Sequence, residues 1–193
     1  MTRVSIALAA ALLCAAIARA QEVPGNRNWD LSIWIAGATG QLDRSSLVQG
    51  QVWSTGFFLG RVIAGPAGPG WLRGNLEYGF TIVPALVASR PNLTYGAGFE
   101  PVVVRWNFRR LQRFVPYVEL AGGGLFTTRN FPRGDTSYFN FTARGGGGVN
   151  ILLKRSQALD FGLRFLHISN ANLGNDNPEF NGVEVRVGYH WRK

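Results

Sequence analysis

Cysteine is almost absent from this sequence. Cys14 is the only one and lies in an apolar N-terminal stretch, so the rest of the chain offers neither a disulfide nor a thiol nucleophile. Histidine is nearly as scarce, with His167 and His190 alone, and no cluster has metal-ligand spacing. Neither a metal nor a cofactor is expected. Glycine runs occur at 122–124 and 145–148, but neither is followed by a P-loop lysine or a helix, which argues against a phosphate cradle. Glycine at such places lets side chains or a ligand approach a curved sheet. After residue 20 no apolar run reaches the roughly 20 residues of a membrane-spanning helix. No repeat, low-complexity tail or domain linker occurs.

What is present begins with a leader. Arg3 supplies a positive start, residues 4–17 are almost wholly apolar, and Ala18, Arg19 and Ala20 form a small-x-small site before Gln21. Residues 1–20 are thus expected to be a cleavable secretory signal, and Leu13 before Cys14 argues against lipoprotein processing. The domain 21–193 then carries a net charge of +7, the overall +9 less Arg3 and Arg19. An exported basic protein is placed to meet anionic lipid or lipopolysaccharide rather than nucleic acid. With 25 glycines and 12% aromatics, the composition favours β-structure.

The apolar period after residue 28 is two rather than 3.6. Leu72, Gly74, Leu76, Tyr78, Phe80 and Ile82 alternate with Trp71, Arg73, Asn75, Glu77, Gly79 and Thr81. Similar stretches at about 29–36, 54–64, 94–108, 114–126, 138–152, 158–169 and 180–191 bring the expected strands to eight. Several reach the ten or so residues that a tilted transmembrane strand needs, and eight is the smallest common number for closing such a barrel. The connections alternate as well. Short ones lie at 65–70, 109–113 and 154–157, and longer polar ones at about 37–53, 83–93, 127–137 and 170–179. An all-β, eight-stranded antiparallel outer-membrane β-barrel shows this pattern, with short periplasmic turns and long outer loops. A lipocalin-type soluble barrel would turn its apolar face inward and needs no such alternation. A solute pore is disfavoured, because side chains fill an eight-stranded interior.

With both termini periplasmic, the connection 170–179 falls at the extracellular rim. The strand before it is Phe161, Gly162, Leu163, Arg164, Phe165, Leu166, His167, Ile168, Ser169. By alternation His167 and Ser169 continue the lipid-facing stripe of Phe161, Leu163 and Phe165, while Arg164 points into the lumen. A polar pair on the lipid side is costly unless it has partners or a use. Imidazole beside a hydroxyl is the minimum for an activated serine; the spacing alone also fits a polar strand end entering a loop.

Leu166, His167, Ile168, Ser169, Asn170 and Ala171, followed by an Asn/Gly/Pro-rich loop and a short last strand, resemble the signature of the lipid A 3-O-deacylase (PagL) family, also called acyloxyacyl hydrolases. The similarity is strongest over about 161–191, with an echo in residues 116–124. The resemblance implies an outer-membrane hydrolase, a barrel that removes an ester-linked acyl chain from lipid A of lipopolysaccharide with a Ser-His-Glu triad on its outer wall. It implies His167 as base and Ser169 as nucleophile, and links Asn170 and Asn177 to oxyanion stabilisation or site geometry. The implied partner is lipid A in the outer leaflet; a homodimer is compatible with the sequence.

The third triad position departs from the family, since ungapped counting puts its glutamate on Asn181. The nearest acids, Glu179 through a bend of the loop and Glu184, are the alternatives for that position. Asn181 shares the lipid face with Val183, Val185, Val187, Tyr189 and Trp191, whereas Glu184 alternates inward with Arg186 and His190, where pairing with Arg186 or Arg164 is expected. Asparagine can orient a histidine but brings no charge. The rival class is a non-enzymatic structural or adhesive barrel with a degenerate site.

Overall fold

A computed structural model of the protein describes residues 29–42, 49–90, 92–108, 111, 113–132, 137–154 and 156–193. The expected signal segment 1–20 lies outside them. Alternation carries through to eight strands: β1 (Trp29–Leu42), β2 (Gln49–Ala67), β3 (Gly74–Ala88), β4 (Thr94–Phe108), β5 (Phe114–Thr127), β6 (Phe139–Lys154), β7 (Gln157–Ser169) and β8 (Phe180–Arg192). Each pairs antiparallel with its successor, and β1 pairs with β8 to close the barrel. Closure removes the unpaired N–H and C=O row that an open sheet edge would present, a necessity in hydrocarbon.

The two faces are inverted relative to a soluble barrel. On β3, Tyr78, Phe80 and Ile82 are exposed while Glu77, Gly79 and Thr81 turn inward. The same holds on β7, where Phe161, Leu163 and Phe165 are exposed and Arg164 is buried. Large apolar groups outside and charge inside are the pattern of an outer-membrane barrel, not of a lipocalin.

The lumen has two zones. From the end where β1 begins and β8 ends up to mid-barrel it is ionic. Glu119 accepts from Arg105 Nε at 2.9 Å, Arg164 Nη1 at 2.9 Å and Arg186 Nη1 at 3.0 Å. Arg186 also meets Asp160 at 2.8 Å, and Arg144 bridges Glu100 and Glu184. Tyr117 crosses this network, donating to Asp160 at 2.6 Å. Gly148 and Gly162 make room for it: a Cβ on either would lie 2.4 or 2.7 Å from the Tyr117 hydroxyl. Toward the other end the lumen is apolar, closed by Leu42, Leu86, Leu125, Leu166, Ile168 and Phe180. Phe131, from the β5–β6 connection, inserts there with its ring 6.3 Å from that of Phe180.

Several boundaries differ from the periodicity. β1 and β2 run to Leu42 and from Gln49, shortening a connection expected over 37–53. Small and polar residues at 37–41 carry no apolar alternation, yet their backbone ladders with both neighbours. β3 begins at Gly74 because Gly70–Leu72 form a short 3-10 turn, which takes Trp71 and Leu72 out of the strand. β3 then continues past 82 to Ala88, across a register shift between Val83 and Leu86. Pro84 there has no N–H for the ladder, so Pro84 and Ala85 both face outward and the alternation breaks phase. The β7–β8 connection spans 170–179, as expected.

Candidate active site

The site forms where β7 runs out. His167 lies opposite Asn181 of β8 and opposite Ala143 of β6, and Ser169, the last residue of β7, lies opposite Phe141. Residues directly opposite on one face have Cβ atoms about 5 Å apart, and residues two apart on a strand share a face. The ladder therefore brings His167, Ser169 and Asn181 together on the outer wall. His167 Nε2 lies 2.9 Å from Ser169 Oγ, and its Nδ1 lies 2.8 Å from Asn181 Oδ1. Ser169 is buried, and His167 and Asn181 are half-buried. With both ring nitrogens engaged, the imidazole is held in one orientation along the wall. Exposed Phe165 and Val183 adjoin it on the apolar side.

Asn181 makes a further contact. Its Nδ2 donates to Glu179 Oε2 at 3.0 Å, so Ser169, His167, Asn181 and Glu179 form one hydrogen-bonded series. Glu179 does not reach the imidazole by a bend of the loop; Asn181 stands between them. Glu184 takes no part. It is buried on the luminal side, 3.3 Å from Arg144 Nε and paired with Arg164, so of its two expected partners it holds Arg164, with Arg144 in place of Arg186.

The loop after Ser169 is shaped by Asn170. This buried side chain donates from Nδ2 to the Asp176 carbonyl at 2.8 Å and accepts from the Asn172 N–H at 3.0 Å. Its own N–H donates to Asn177 Oδ1 at 3.1 Å. Between them Ala171 and Asn172 adopt φ of 52° and 65°, a left-handed region where alanine is strained. Strain of this kind persists only where the surroundings over-determine the backbone. Here Asn170 and Asn177 supply the tether.

Against this geometry the comparisons decide the family. The model of the family described as "Lipid A 3-O-deacylase (PagL)" matches residues 34–190. The chain belongs to that family. Solved structures agree on the architecture of this family member. The outer membrane enzyme PagL aligns at 18% identity over 80% of this chain and 97% of its own, with a TM-score of 0.54. Neisserial surface protein A aligns at 13% identity over 84% and 96%, with a TM-score of 0.55. Ail, the attachment invasion locus protein of Yersinia pestis, solved with the heparin analogue sucrose octasulfate, aligns at 13% over 88% and 100%, with a TM-score of 0.50. At such identities these likenesses concern the fold, that of outer-membrane barrels. No curated protein matches the chain.

Within the family's frame, the neighbours from β6 carried no signal in the sequence. Glu179 was nameable as a nearby acid, but its partner depends on how the chain enters β8. A two-residue spacing, which puts Glu179 and Asn181 on one side of an extended segment, was the available signal.

Proposed function

We propose that this protein is an outer-membrane serine esterase that removes an ester-linked acyl chain from lipid A. The observation that carries the reading is the hydrogen-bonded run of Ser169, His167 and Asn181 on the lipid-facing wall of a member of the lipid A 3-O-deacylase family. A site opening sideways suits a substrate whose acyl chains already lie in the leaflet. With the termini in the periplasm, that leaflet is the outer one, and the site lies near the extracellular rim, where lipid A resides.

The chemistry follows from the atoms. Ser169 Oγ attacks the ester carbonyl carbon as its proton passes to His167 Nε2, giving a tetrahedral intermediate. The carbon–oxygen bond to the sugar breaks, and His167 returns the proton to the departing sugar hydroxyl. Water, deprotonated by His167, then attacks the acyl-serine and releases the fatty acid, restoring Ser169. Asn181 Oδ1 accepts from His167 Nδ1–H throughout and keeps the ring aligned. Donors to a developing oxyanion contribute about 3–4 kcal/mol in other hydrolases. The Asn170 side chain is engaged in the loop, which favours a shaping role for Asn170 and Asn177.

The test is mass spectrometry of lipid A from cells with and without the protein. Loss of one ester-linked chain on expression, abolished by Ser169→Ala in an equally abundant folded barrel, is the expected result. Unchanged lipid A despite an inserted barrel would favour the non-enzymatic reading, whose best support is Asn181 at the glutamate position.

A further inference from the structure

We infer that Glu179 is a positioning residue that sets the tautomer of His167 through Asn181. The inference rests on the esterase reading for its consequence, but on hydrogen-bond chemistry for its content. An amide side chain donates from its nitrogen and accepts at its oxygen, whereas a carboxylate only accepts. Glu179 Oε2 lies 3.0 Å from one end of the Asn181 amide, so that end is Nδ2. The other end, Oδ1, then faces His167 Nδ1 at 2.8 Å. An oxygen that only accepts requires the proton on Nδ1. That leaves the lone pair on Nε2, 2.9 Å from Ser169 Oγ, where it can take the serine proton.

Asparagine alone does not specify this arrangement. Rotated by half a turn, Asn181 would offer Nδ2 to the ring, draw the His167 proton to Nε2 and leave no base beside Ser169. Glu179 removes that alternative. Its carboxylate also sits one amide away from the ring, behind the position where the family resemblance implies a glutamate in direct contact. The series Ser169, His167, Asn181, Glu179 thus keeps an acid in the system, displaced by two residues along the chain to the same side of β8's entry.

The experiment uses the full refolded barrel in detergent micelles containing lipid A. Glu179→Gln, whose amide no longer dictates direction, is expected to lower kcat about 10–100-fold with KM within about twofold. This is short of the roughly 10⁴-fold cost of a wholly wrong tautomer. Nitrogen-15 NMR of labelled histidine should show His167 with its proton on Nδ1 in the wild type and a mixture in the variant. Glu179→Ala serves the same comparison if the glutamine variant does not fold. In an Asn181→Glu background, where a carboxylate meets Nδ1 directly, Glu179→Gln should cost less than a third of its wild-type factor. An unchanged tautomer in both Glu179 variants overturns the inference, as does unchanged kcat in an active protein. A merely structural role would alter folded yield or KM and leave the tautomer alone. Should wild type and Ser169→Ala be equally inactive, the esterase reading fails, while the tautomer measurement still decides for or against Glu179.

Discussion

Replacing Glu119 with glutamine removes one charge from the lumen and changes almost nothing in shape. Glu119 is 3% exposed and receives guanidinium groups from three strands: Arg105 of β4, Arg164 of β7 and Arg186 of β8. Each arginine retains one other acid. Arg105 keeps Glu77 at 3.7 Å, Arg186 keeps Asp160 at 2.8 Å, and Arg164 keeps Glu184. The loss is therefore less than three complete ion pairs, and closest to breaking one buried pair, about 3–5 kcal/mol. Urea-driven unfolding of the barrel in lipid vesicles, followed by the slower gel mobility of the unfolded form, measures it. Esterase activity per folded barrel should stay within about twofold, since the site lies on the outer wall and Glu119 touches none of its members. A stability loss below about 1 kcal/mol would refute the reasoning, because it would mean that water screens the network as it screens surface pairs. A large activity loss at full stability would refute the separation of lumen from site.

Leu163→Arg places a charge at the middle of β7 on the exposed outer face and should destabilise the inserted barrel by about 2–4 kcal/mol. The same vesicle titration checks it, and a cost near zero would argue that this face does not meet hydrocarbon. Asn177→Ala removes the acceptor for the Asn170 N–H. It should cost about 1 kcal/mol of stability but lower kcat about 10–100-fold, through displacement of the segment that follows Ser169; single-turnover deacylation separates the two effects.

Several features follow from alternation alone. The strand count, the outward stripes of β7 and β8, the placing of His167, Ser169 and Asn181 on one face and the exclusion of Glu184 to the other all need only a period of two. That period survives as long as each strand is regular. It failed at β3, where Pro84 and Ala85 both face outward, and at 37–41, where side chains too small or polar to alternate still form ladder hydrogen bonds.

Tertiary structure alone decided everything that crosses between strands. That His167 stands opposite Asn181 rather than a residue two positions away is a matter of register, set by strand tilt and stagger around the closed barrel. The same stagger brings Glu119 to arginines 45 and 67 residues further along the chain, contacts with no local signature. The Glu179–Asn181 bond is local, two residues apart, but the folded entry to β8 sets which end of the amide Glu179 meets and so which end faces His167. Sequence placed an asparagine where an acid was expected, and only the folded entry to β8 showed the acid standing behind it.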